Sequence, residues 1–413
     1  MFTKLRSINK ISIGILAATL ILQFYSLIRR YPDEPKCGRL VEPFNPFNVL
    51  INCDSAVFMK DADNPERLFD GTSDYQDRPA SALINSLLTR LLRLVNFPEK
   101  IFPVKGISGE TYNYSSTVYI IFILLNAVVF SASVVLIVRA FSDPGLANRQ
   151  NQTDVASFLL LAVSVLAANE LTKTFFWTPH SQMFNILQPA LAIYLIMSLH
   201  AINTSKSFFK FSFILLLLTF FYPSIALLAV LLLFAPFRNF CIRFAIVSIT
   251  FLTYAIYPFL LDFFGGEYRS NHIQKFREFI WVWDSIKLGN LDEALLQNGR
   301  LFLATFPTIP TLFMIFTLIL IFTINPKLIK VNFRRTLLSP TSIFIATYAS
   351  YLFFIGFYSR RLTLGFVIFL ELLLILYLFR NMPLRLERYA PWFSGITLIF
   401  ISASWFFSSG PLV

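Results

Sequence analysis

The sequence predicts an all-α polytopic membrane protein with about 11 membrane-spanning segments and a long first loop. Three observations carry that expectation. Apolar runs of bilayer length recur along the chain. Charged residues gather in the gaps between the runs. The gaps alternate in charge. The 413 residues are 56% hydrophobic and only 14% charged, whereas a soluble domain carries about 25% charged residues. The 48 phenylalanines suit lipid-facing helices.

A spanning helix needs roughly 20 apolar residues. The candidates are 11–28, 116–138, 155–169, 184–201, 208–236, 244–264, 301–324, 340–358, 362–379 and 390–407. The first follows Lys4, Arg6 and Lys10 and ends in Arg29-Arg30, with no small-x-small cleavage site. It reads as an uncleaved first helix. Gaps assigned to one side hold 16 basic and three acidic residues, while the other side holds 19 of each. Glu371, within a helix, completes the formal net charge of +12. That asymmetry is the positive-inside rule. It places the N-terminus in the cytoplasm and the loops 29–115, 170–183 and 265–300 outside. It also accounts for the excess charge without nucleic acid, so no nucleic-acid partner is expected.

Residues 208–236 break the alternation, because basic residues flank both ends. Proline disfavours helix in the residue before it and costs about 3 kcal/mol in a helix interior. The run therefore reads as two short segments with a turn near Tyr222-Pro223-Ser224 facing outward. One long kinked helix is the alternative. No internal repeat divides the chain, so 1–413 reads as a single transmembrane domain.

The first loop carries six aspartates: Asp54, Asp61, Asp63, Asp70, Asp74 and Asp77. Ionised groups beside a bilayer are costly unless solvated or functional. Residues 55–63 read as a short helix, with Asp54 suited to cap it. Residues 80–95 place Leu83, Ile84, Leu87, Leu88, Leu91 and Leu92 on one face. Asn85, Ser86, Thr89, Arg90 and Arg93 take the other. This spacing suits a helix lying in the bilayer interface. Trp281, Trp283, Phe276 and Phe279 anchor 265–300 at the same level. Cys37 and Cys53 are separated by 15 residues and both fall outside, where a disulfide persists. Two buried thiols are the alternative.

This organisation resembles the GT-C superfamily of membrane glycosyltransferases. Asp54-Ser55 stands where that family keeps an acidic pair after its first helix. Ala62, Asn64-Pro65-Glu66-Arg67 and Tyr75-Gln76-Asp77-Arg78-Pro79 follow. The last of these is similar to an aromatic-x-x-basic-proline element. Trp177-Thr178-Pro179-His180 and Tyr358-Ser359-Arg360-Arg361 are two further echoes. The resemblance implies inverting transfer of a sugar from a polyprenyl-phosphate donor to a glycan, lipid or protein acceptor. It implies a multi-pass protein of a bacterial inner or plasma membrane, among membrane lipids, with its active site outside. Position 55 is serine where the family has a second acid, so no divalent metal or other cofactor is called for.

The resemblance gives the residues roles. Asp54 is the expected general base, with Asp61, Asp77 and Glu170 as second-line acids. Arg360, Arg361 and Arg78 are expected at the donor phosphate, where a guanidinium matches the oxygens. For Arg360 and Arg361 the competing role is headgroup snorkelling; for Arg78 it is pairing with Asp74 or Asp77. His180 is the acceptor-site candidate, against an ordinary hydrogen-bonded surface role. A lipid-linked-sugar flippase or transporter, an O-antigen ligase or polymerase, and a non-catalytic assembly factor remain open.

Overall fold

A computed structural model describes residues 17, 19–21, 23, 38–44, 47–73, 76, 78–105, 111–141, 152–237, 239–267, 281–306, 312, 314–319, 323, 339–355, 360–381, 392 and 395–399. The protein is mostly helical. Among the described residues, three helices are long and apolar enough to cross a membrane: Ser116–Phe141, Ser181–Ala201 and Arg361–Arg380. Shorter apolar helices at Val155–Ala167, Pro223–Leu232 and Phe240–Thr253 fall on other expected spans.

The first loop is not all helix. It contains two antiparallel hairpins, β1 (Gly38–Phe44) with β2 (Phe47–Asn52), and β3 (Ile101–Lys105) with β4 (Thr111–Ser115). Their segments are rich in valine, isoleucine, phenylalanine and tyrosine, which favour strands. Two-stranded ribbons have free edges, so Pro43 and Pro103 are tolerated in them. The β1–β2 register pairs Gly38 with Asn52. Cys37 itself, and the side chain of Cys53, lie outside the described residues.

Strand β2 runs directly into α1 (Cys53–Asp63). Ser55, Phe58, Met59 and Ala62 form its buried face at helical spacing. Helix α2 (Pro79–Leu94) starts with proline at its first position, where no amide is needed. Asn96 ends it in the left-handed region at φ 54°, and the Phe97 amide bonds back to the Leu92 carbonyl at 3.1 Å. Both expected faces of α2 exist. The polar one packs inward: Ser81, Asn85, Ser86 and Thr89 are buried against α1 and the long helix that follows. Leu87 and Leu94 point out, 59% and 78% exposed. In water that arrangement would be inverted; beside lipid it is favourable. At the far end Arg93 pairs with Asp63 at 3.0 Å and Glu99 at 2.7 Å. The hydrogen bond from Arg93 holds the Glu99 carboxyl below its ordinary value, outweighing partial burial.

The bundle begins with α3 (Ser116–Phe141), whose first amides, Thr117 and Val118, are bound by the Ser115 hydroxyl. Helix α4 (Gln152–Ala167) and the short α5 (Glu170–Phe175) follow, α5 capped by Asn169. A 3₁₀ turn, Ser181–Met183, leads into α6 (Phe184–Ser198). Then come α7 (Ser205–Thr219), a 3₁₀ stretch Pro223–Leu228, α8 (Ala229–Leu232), α9 (Phe240–Phe263), α10 (Leu291–Ala304), α11 (Pro340–Phe354) and α12 (Arg360–Asn381). Phe130, Phe141, Phe158, Phe369 and Phe379 fill the core shared by α3, α4, α6 and α12.

The break expected in 208–236 is present. Helix α7 stops at Thr219, and Tyr222, extended at φ −154°, precedes Pro223. Three separate pieces of chain meet here. The Ala80 amide donates to the Phe220 carbonyl at 3.4 Å. The Glu267 amide, beyond α9, donates to the Phe69 carbonyl at 2.6 Å, and Gln76 donates to the carbonyls of Leu68 and Glu267. The first loop, the break and the start of the 265–300 loop therefore share one end of the bundle, the loop end.

Helices α6 and α12 approach closely at Gly365. A Cβ there would lie 2.1 Å from the Asn185 side-chain oxygen. Asn185 is held by its bond to the Arg361 carbonyl at 2.7 Å and cannot swing away freely. Gly365→Ala should therefore destabilise the protein by about 1–3 kcal/mol, as overpacking does. Adding Asn185→Ala should recover part of that loss, because the two positions are in contact. A thermal melt in nanodiscs checks it. Equal melting temperatures for wild type and Gly365→Ala would show that the contact is not tight.

Candidate functional site at the loop end

The residue that ties the first loop to the bundle is Arg78, immediately before α2. Its Nη1 donates to the Ser181 hydroxyl at 3.1 Å. Its guanidinium lies 5.1 Å from the centre of the Tyr222 ring, a cation–π distance. The Tyr222 hydroxyl in turn donates to Gln182 at 3.1 Å. Arg78 thus reaches both the start of α6 and the break after α7.

Behind Arg78 lies a buried polar network. Gln188 and Ser224 bond twice, amide to carbonyl at 3.0 Å and hydroxyl to amide oxygen at 2.7 Å. The Tyr348 hydroxyl lies 3.3 Å from the Gln188 oxygen and 3.4 Å from that of Asn185. The Asn185 amide bonds the Arg361 carbonyl. Buried polar groups need partners, and in an apolar bundle these side chains find them in one another and in the backbone of the break. Sequence reasoning missed this network. Its signal was present, since Gln182, Asn185 and Gln188 recur every third residue along an otherwise apolar stretch.

His180 precedes the 3₁₀ turn and is buried. Its Nδ1 accepts from the Gln182 amide at 3.0 Å, so the ring carries no proton on that nitrogen. The ring packs against Phe58 at 4.9 Å and Phe175 at 5.0 Å between centroids. Phe58 lies on α1, one turn after Asp54. His180 therefore seats α1 on the bundle.

The other expected residues are placed as follows. Asp54 is in the first turn of α1, which starts at Cys53 rather than at Ser55, so it lies inside the helix instead of capping it from outside. Its side chain, like that of Arg360, lies outside the described residues, as does the whole of Asp77. Asp61 is fully buried, pairs with Arg67 at 3.0 Å, and accepts from the Ser73 hydroxyl. Arg67 also donates to the Thr72 carbonyl at 2.9 Å, so the trio closes the loop 61–73. Glu170 opens α5, whose opposite end, Phe175, is the part that touches His180. Arg361 is half-buried in the first turn of α12 and joins the network through its carbonyl. Arg78, His180, the Phe58 face of α1 and the start of α12 are thus linked through Ser181 and Asn185, while Glu170 stays at the far end of its helix. Among the described residues, no three of His, Cys, Asp and Glu cluster as a metal set would.

Set against known proteins, the chain matches no family model, no curated sequence and no solved structure.

His180→Ala should be a folding defect. It removes a cap worth about 0.5–2 kcal/mol and opens a cavity between two aromatic rings. His180→Asn keeps an acceptor for the Gln182 amide and should recover part of the stability. Melting temperatures ordered wild type, Asn, Ala support the seating role. A His180→Ala protein as stable as wild type would refute it.

Proposed function

We propose that the protein is a GT-C-type glycosyltransferase of about 11 spans. It would move a sugar from a polyprenyl-phosphate donor to an acceptor hydroxyl at the outer membrane face. The observation that carries this reading is the junction at the loop end. There Arg78 is held against Ser181 and Tyr222, beside the helix that carries Asp54 in its first turn. An inverting transfer needs those two functions on one surface, a cation for the leaving phosphate and a carboxylate for the incoming hydroxyl.

The step balances simply. The acceptor hydroxyl gives its proton to the Asp54 carboxylate, and its oxygen bonds the anomeric carbon. The bond from that carbon to the phosphate oxygen breaks. The electron pair leaves with the polyprenyl phosphate, whose charge Arg78 stabilises, helped by Arg360 and Arg361 at the nearby start of α12. His180 is a positioning residue in this scheme, holding α1 through Phe58.

Topology gives the first test. Asn64 is exposed in the first loop, and Cys241 is exposed at the start of α9, between Arg238 and Arg243 in the sequence. In intact cells an impermeant maleimide should label an Asn64→Cys variant at the new thiol. Cys241 should react only after permeabilisation. The reverse pattern would put the proposed site on the wrong face.

The base gives the second. Asp54→Asn keeps the shape and removes the basicity. Turnover of lipid-linked sugar should fall by about 10²–10⁴-fold with the melting temperature unchanged. Asp61→Asn should do something different, because it breaks a buried ion pair and costs about 3 kcal/mol of stability. Normal turnover in a folded Asp54→Asn protein would sink the assignment.

A further inference from the structure

Helix α2 turns its polar face toward the protein, yet that face is not fully paired. Ser81 and Asn85 are both fully buried. The Ser81 hydroxyl and the Asn85 side-chain nitrogen have no protein partner among the described residues. They lie four residues apart, one turn along the same face. Native proteins leave few buried polar atoms unmatched, because each unmatched atom costs free energy. Two lie on one face, one turn from Arg78. The remaining polar group of Asn85 is its oxygen, which accepts from Thr89 at the long distance of 3.5 Å. Between Arg78 and Arg90 the helix carries no ionised residue. The face offers neutral hydroxyl and amide groups alone, and it packs against α1.

We propose that the Ser81–Asn85 face of α2 is the subsite for the donor's sugar ring. Arg78 takes the phosphate at the start of the helix. The sugar hydroxyls then pair with Ser81 and Asn85 along its next turn. Neutral amides and hydroxyls match the hydroxyls of an uncharged sugar. The same turn that buries these groups presents Leu83, Ile84 and Leu87 outward, so one helix serves the sugar on its inner face and lipid on its outer face. This assignment rests on the glycosyltransferase reading above.

The test uses the full chain in nanodiscs and reads thermal stabilisation by four probes. These are undecaprenyl phosphate and the same lipid phosphate bearing glucose, mannose or galactose. Wild type should be stabilised by the bare lipid phosphate, and further by at least one sugar-bearing form. The Ser81→Ala/Asn85→Leu variant should keep the first effect, with affinity for the bare lipid phosphate changed less than about twofold. Its affinity for that sugar-bearing form should weaken by about tenfold or more, as the loss of two hydrogen bonds implies. If the double variant does not fold, Ser81→Ala alone should show the same selective loss at a smaller size. The subsite is overturned if the sugar-dependent increment is the same in variant and wild type, or is absent from wild type for all three sugars. A variant that melts higher without ligand and keeps its sugar increment would mark the two atoms as packing defects only. If undecaprenyl phosphate itself gives wild type no shift, the donor reading falls and takes this subsite with it.

Discussion

Proline 223 removes one backbone donor and stops a helix inside an apolar hairpin, and the loop end is arranged around that break. Irregular backbone among apolar helices is tolerated only where protein or a polar cavity supplies its hydrogen bonds. Here the protein supplies them. The Phe220 carbonyl takes the Ala80 amide from the first loop, and the Ser224 carbonyl takes the Gln188 amide from α6. Tyr222, forced into an extended conformation ahead of the proline, offers its ring face to Arg78 and its hydroxyl to Gln182. One local rule about proline thus makes a polar environment in the bundle and attracts a cation to it. It also fixes where the first loop docks.

The docking is reinforced twice, by means that do not depend on the break. Phe58, Phe102, Tyr114, Tyr119 and Phe122 make a small apolar core that holds α1 and the second hairpin to α3. The Glu267 amide and carbonyl stitch the loop 64–76 to the end of α9. Gly71, at φ 73°, lets the two chains pass, with Glu267 against it. The described parts of the first loop are therefore packed onto the bundle end. A site that needs preorganised groups has the rigid support it requires.

Much of this was legible in the sequence where one strong physical signal acts alone. The apolar runs 116–138 and 362–379 match α3 and α12 within a few residues, because length and hydropathy decide a span. The proline near 222 and the periodic residues of 55–63 and 80–95 were legible for the same reason. The hairpins were not, since segments of five to seven residues carry too little periodicity to rise above a loop. Periodicity also says that α2 has two faces without saying which neighbour each one meets. That Ser81 and Asn85 go inward follows from the packing of α2 on α1 and α3, which is a tertiary fact. The amide ladder of Gln182, Asn185 and Gln188 was readable but looked like scattered polarity until the break gave it partners.

The aspartates of the first loop show how burial sorts residues that look equivalent in a sequence. Asp61 is consumed by Arg67 and Ser73, and Asp63 by Arg93. Asp70 accepts from the amide and hydroxyl of Thr72, which hold its carboxyl below the usual range, and sits in the turn that meets Glu267. Each of the three therefore already has a geometric duty, Asp61 and Asp63 in ion pairs and Asp70 in a turn. A general base has a different requirement, since it must gain a proton in the transition state and give it up again. A carboxylate whose oxygens are already engaged by an arginine or by two hydrogen bonds is a poor candidate for that cycle, because an incoming hydroxyl would have to displace those partners. The same partners that build the first loop therefore remove three of its acids from the catalytic field. Of the loop's six aspartates they leave Asp54, Asp74 and Asp77, and of these Asp54 is the one whose backbone lies in α1, the helix that packs on His180 through Phe58.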